Sequence, residues 1–314
     1  MSKILIRLPA SLLAVALVAS AVAAPPGRRA KRPEFTPSER AVFFADVASV
    51  LDGPRPDFGR LAETRTAAAG SITAAGGGDA GASEQWGPLI TTDTVENEIK
   101  RQAQRVAEVT ASATTFKGGG YRQARDAFST LALMFRVAAE HENDARWRDI
   151  APGLSTLFGR AAANCKVGTD GSYREAAARS QDLTDLVRGS RPDVPAGDPD
   201  QLWSDLADRS PIMKRIEDAQ QKQLGPLLGS GASFSRSAED AAHAAQILAF
   251  LSEVLTREEF IDAGDEEYDA FARAMRDAAA DISRAADQDD YPTAREAYGR
   301  LNKACSDCHD LYRG

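Results

Sequence analysis

The chain has 314 residues, of which 43% are hydrophobic and 27% charged, so two soluble domains with linkers are its natural organisation. Its formal net charge of -8 argues against a nucleic-acid binder and favours encounters with basic partners, the short basic stretch PPGRRAKRPEF at 25–35 notwithstanding. With only three cysteines it is not a disulfide-stapled scaffold.

Residues 1–24 read as a cleavable export signal: a basic start with Lys3 and Arg7, an apolar run from Leu12 to Val18, and the small-residue pattern Ala21-Val22-Ala23. The apolar run is too short to span a membrane, no later segment reaches that length, and the expected location is periplasmic. Residues 25–90 read as a helical arm followed by a flexible linker. Thr36, Pro37 and Glu39 form a helix start, Phe43, Val47, Val50 and Leu51 share a face, and a Gly/Ala-rich stretch follows.

From Thr94 the periodicity predicts helices almost throughout, with no strand pattern. Val95, Ile99, Val106 and Val109 mark the first. Tyr121, Ala124, Phe128, Leu131, Phe135 and Ala138 mark the second, after a turn at the glycines 118–120. The third is expected over 144–164 with Trp147, Ile150, Leu154 and Phe158 inward, and the fourth over 172–188. The proline-rich stretch around 190–200 is the domain boundary.

The second half repeats the plan. A helix starts at Ser210 and Pro211 and contains Met213, Ile216 and Leu224. Two more are expected over 236–257 and 266–287, and a last one begins near Pro292 with Ala297, Leu301, Ala304, Cys308 and Leu311 inward. The fold class is therefore all-α: two antiparallel four-helix bundles in tandem, 91–189 and 201–314, joined by a linker at 190–200. "TDLVRG" at 184–189 resembles "HDLYRG" at 309–314, which suggests that the first bundle is a copy of the second without its reactive residues.

Those residues stand at the end of the last helix, in "KACSDCHDLYRG". Cys305 and Cys308 are three apart, so on a helix their thiols point the same way. Both can then add to the two vinyl groups on one edge of a haem, and His309 can reach its iron. A zinc site would need more ligands from Cys165, His141 and His243. A redox dithiol lacks its βαβ setting, and a disulfide three residues apart on a helix would be strained. Cys165 has no partner motif and reads as a small buried residue, with an intermolecular disulfide as its rival.

The run "REAYGRLNKACSDCHDLYR" resembles the last helix of the class II c-type cytochromes, the cytochrome c-prime group, with Cys305, Cys308, His309, Tyr312 and Arg313 matching. The resemblance covers roughly residues 200–314. It implies a four-helix bundle with one covalently attached haem c, Cys305 and Cys308 as thioethers and His309 as proximal ligand. Low-spin members place a methionine on the other face of the iron, and Met213 near the start of the first helix matches that arrangement. Met275 and His243 read as core or surface residues. With Met213 bound, the protein is an electron carrier for unidentified redox partners and not an enzyme. With the position open, it binds or senses small gases such as NO or CO. Because many family members pair bundle against bundle, the haem-less bundle is expected to take the place of a second subunit.

Overall fold

Caps and prolines decide where the helices start in the computed structural model, which describes residues 86–198 and 200–312. The expected signal, the arm and the linker as far as residue 85 lie outside the described residues, as does Arg313. All described residues belong to one compact unit, Asp79–Gly314. Among them the secondary structure is helical, with no strand, so the all-α class holds.

Thr91 accepts the Thr94 N–H and starts α1 (Thr92–Thr110), whose buried stripe includes Val95, Ile99 and Val106. The turn that follows reverses the chain at Gly119, whose φ of 132° is open to glycine and strained for other residues. Next come α2 (Tyr121–Glu140), α3 (Ala151–Asn164) and α4 (Asp170–Val187), the last opened by a Thr169/Ser172 capping box. The periodicity carried α3 back to about residue 144, but it begins at Ala151. Trp147 has a φ of 65°, outside any right-handed helix, and Pro152 is tolerated only in the first turn. Trp147 and Ile150 are accordingly only half-buried.

α1 packs on α2 and α4, and α2 packs on α3. Phe158 bridges α2 and α3 by stacking on Phe128 and Phe135, with centroids 5.9 and 5.4 Å away. Each fully buried aromatic of this kind contributes about 1.5–3 kcal/mol. Residues 86–90, at the end of the stretch read as linker, are packed: Trp86 and Ile90 are buried, and Glu142 accepts the Trp86 and Gly87 N–H groups.

After the proline-rich crossing, α5 (Trp203–Leu206) brings Trp203 against Trp86 and Phe250, with centroids 5.4 and 6.1 Å from it. Then α6 (Arg209–Glu217) runs into a π-helical segment, Asp218–Leu224. The short α7 (Gly231–Arg236) leads to α8 (Ala238–Val254), α9 (Glu266–Asp287) and α10 (Tyr291–Tyr312). Asp265 caps α9, and Asp290 accepts the Thr293 N–H where α10 begins.

α8 packs on α9 and on the π-helical segment, and α9 packs on α10. Between the two groups of helices, α6 packs on α2 and α8 touches α1. Leu311, expected inward, is 61% exposed. Tyr312 takes the inward place one residue later, packing edge-on against Tyr268 and Phe271, so Leu311 is rotated outward.

Candidate functional site

The last helix is amphipathic up to its reactive end. Ala297, Leu301, Ala304 and Cys308 are buried along one stripe, Cys305 is half-buried and His309 is exposed. Cys305 and Cys308 lie one turn apart, as their spacing requires. Burial pushes the Cys305 thiol up to about 11, with Cys308 adding to the effect, and burial likewise raises Cys308. Both therefore stay protonated thiols at neutral pH. His309 sits in the last turn of α10.

These three residues line a cleft of about 780 Å³, within the size range of cofactor sites. Its opposite wall is α6 and the π-helical segment, which contribute Arg209, Met213, Ile216, Gln220 and Gln221. Met275 of α9 and Ile261 of the α8–α9 connection complete the apolar part.

Hydrogen bonds tie the two walls at both ends. At one end Arg209 pairs with Asp262 at 2.5 Å and donates through Nη2 to the Tyr312 carbonyl at 2.8 Å. Tyr312 Oη in turn donates to Asp265 at 2.6 Å. At the other end Tyr298 Oη donates to the Gln220 carbonyl at 3.0 Å, and Gln220 Nε2 donates to Asn302 Oδ1 at 2.7 Å. The Gln220 carbonyl also takes the Gly225 N–H, the five-residue spacing of a π-helix. The wall facing α10 thus departs from α-helical register where it lines the cleft.

The four expected site residues, Cys305, Cys308, His309 and Met213, come together in this one cleft. Met275 joins them, which the sequence reading did not foresee. Cys165, His141 and His243 do not line it. Cys165 is buried at the end of α3. His141 is buried between the Ile90 carbonyl and the Asn143 N–H.

His243 has a partner that sequence reasoning missed. Its Nε2 lies 2.9 Å from Glu98, a fully buried carboxylate of α1 that also pairs with Arg215 of α6. The available signal was the position of Glu98 on the apolar stripe of Val95, Ile99 and Val106, where a charge needs a buried counter-charge.

The donor set suits a haem. Two thiols one turn apart can form two thioethers, the adjacent imidazole can hold the iron, and a thioether sulfur lies on the facing wall. A second cavity of about 580 Å³, lined by residues 194–198 and Gln201 beside α2 and α3, has no thiol, thioether or imidazole in its lining.

Residues 205–313 match the family model described as Cytochrome C'. No curated protein and no solved structure matches the chain. The C-terminal domain is therefore cytochrome c-prime-like and that of a haem-containing c-type cytochrome.

Proposed function

We propose that this cytochrome c-prime-like domain carries single electrons outside the cytoplasm, on one haem held covalently by Cys305 and Cys308 and ligated by His309 and Met213. The observation behind this reading is that Met213 lines the cleft from α6, on the wall opposite α10. Met213 would be the residue that could offer a second ligand, a sulfur, from that wall. Met275 shares the cleft, but its helix α9 packs directly on α10.

When bound, the haem supplies a one-electron couple whose potential is raised by thioether and imidazole ligation. The chain's own residues do the rest. Cys305 and Cys308 would hold the group to α10, and His309 would offer an imidazole nitrogen from the same helix. Ile216 and Met275 would give the group apolar contacts, while the bonds at Arg209 and Gln220 hold the walls at a set separation. With His309 and Met213 both engaged, the iron would exchange electrons and not bind a substrate, which supports reading the protein as a carrier and not an enzyme. Export rests on the expected signal at 1–24 and on thioether attachment outside the cytoplasm. Among the described residues no helix is long and apolar enough to cross a membrane. The acidic net charge of -8 suits a basic redox partner.

The test is the optical spectrum of the full chain, matured with a periplasmic haem-attachment system, beside Met213→Ala and Met275→Ala. The expected result is a low-spin spectrum with a weak far-red sulfur-to-iron band that Met213→Ala removes and Met275→Ala keeps. A high-spin spectrum indifferent to Met213→Ala, with ready carbon monoxide binding, would replace electron transfer with gas binding.

A further inference from the structure

α6 has two working faces. Met213 lines the cleft, and Arg215 lies about 200° further round the helix, buried on the far side at 5% exposure. There Arg215 donates through Nε to Glu98 Oε1 at 2.7 Å and through Nη2 to Oε2 at 3.1 Å. Glu98 belongs to α1, in the part of the chain without a haem motif, and is completely buried. Its oxygens also accept Gln102 Nε2 at 2.7 Å and meet His243 Nε2 at 2.9 Å. One carboxylate thus ties α1 to both α6 and α8. Burial alone would push its carboxyl up, but Arg215 and His243 hold it far below the usual carboxylate range, so it is charged.

We propose that Glu98 is a positioning residue for the distal wall of the haem cleft: it sets the rotation and depth of α6, and so the place of Met213, from the haem-less half. The proposal rests on the reading of α6 as the wall opposite His309. A two-point fork fixes orientation as well as distance, because any roll of α6 breaks one of its two bonds. An apolar contact would tolerate such a roll. Functional groups have to be held to about 0.5 Å, and α6 needs an external hold because a π-helical segment follows it directly. The neighbouring pairs are Lys214–Asp126, with Nζ 3.4 and 3.3 Å from the two carboxylate oxygens, and Arg105–Asp218 at 3.2 Å; both are more exposed and have no guanidinium fork, so they define its place less well.

The experiment uses the full-length holoprotein. Its variants are Glu98→Gln, Glu98→Asp, the double Glu98→Leu/Arg215→Met, and Arg101→Gln, which cuts the exposed Arg101–Asp240 pair between α1 and α8 without touching α6. The readouts are amide hydrogen exchange over 209–224, the haem spectrum and carbon monoxide affinity. Glu98→Gln should speed exchange over 209–224 by about tenfold or more while 291–312 stays protected. It should also weaken the far-red band and change carbon monoxide affinity. Glu98→Asp, which keeps the charge, should recover part of each change, and Arg101→Gln should cause none.

If Glu98→Gln unfolds the chain, the double variant decides, because removing both charges spares the fold while still removing the fork. Wild-type exchange, spectrum and affinity in the folded variant would overturn the proposal. So would the same changes in Arg101→Gln, which would make Glu98 ordinary interface glue. Should Met213→Ala leave the spectrum untouched, the ligand reading fails separately. Exchange and carbon monoxide affinity still decide the role of Glu98, since neither needs a Met213–iron bond.

Discussion

Removing Glu98 alone should destabilise the chain far more than removing Glu98 and Arg215 together. In Glu98→Leu the Arg215 guanidinium stays buried with its carboxylate gone, which costs about 3–5 kcal/mol. In Glu98→Leu/Arg215→Met the uncompensated charge is absent. What remains is His243, whose Nε2 loses its acceptor, a penalty of about 1–3 kcal/mol. Urea unfolding of the full chain, extrapolated linearly to water, measures each difference. The double variant should recover a substantial part of the single variant's loss. A double variant as unstable as Glu98→Leu would show that packing, and not the buried charge, carries the loss.

Acid gives an independent reading of the same cluster. The Glu98 carboxyl is held below its ordinary value of 4.5 in the folded chain, so its ionised form favours folding. That contribution is fully present above the unfolded value and is lost as pH falls through the folded one. The gap between wild type and Glu98→Gln should stay constant from neutral pH down to about 5 and shrink only below about 4.5. A gap that grew on acidification would have the wrong sign for a depressed carboxyl.

Two further outcomes follow from the seam between α1–α4 and the helices of the cytochrome c-prime-like domain. With α6 packed on α2 and α8 on α1, we propose that the haem-less half occupies the face through which a second copy would pair. Sedimentation should then give a monomer at micromolar concentration, and a tight homodimer formed through α6 and α8 would refute it. Trp86→Ala should lose about 3–5 kcal/mol in urea unfolding, because Trp86 is buried against both Trp203 and Phe250. A loss below about 1 kcal/mol would mean that residues 86–90 are not anchored as described.

What the sequence revealed of the site was what is local. The Cys305–Cys308–His309 spacing needs only one helix to be meaningful, and that helix is amphipathic enough to be placed within a residue of its observed start. Met213 came from resemblance, since a methionine on a helical stripe is otherwise core filler. Periodicity could not choose between Leu311 and Tyr312 for the last inward place, because three and four residues after Cys308 are nearly equivalent on a helix. Rings on α9 settle it. The π-helical turn at 218–224 left no local trace, because its register depends on Tyr298 and Asn302, both on α10. Glu98 was the largest omission. Its partners Arg215 and His243 lie 117 and 145 residues away, and no local pattern connects them.

That separation bears on where the functional unit ends. The family match begins at residue 205, yet the side chain that grips α6 from behind is at 98, with support from 102. α6 has nine residues, too few to be stable alone, and its helicity depends on the two surfaces it touches. One surface is the cleft and the other is α1 and α2. Cutting the chain to its matched part would bring the Arg215 charge to solvent and remove the acceptor of His243, leaving the Met213 wall without the contact that fixes its rotation. The reactive groups all lie after residue 205, but the arrangement that makes them a site includes the half of the chain that carries none of them.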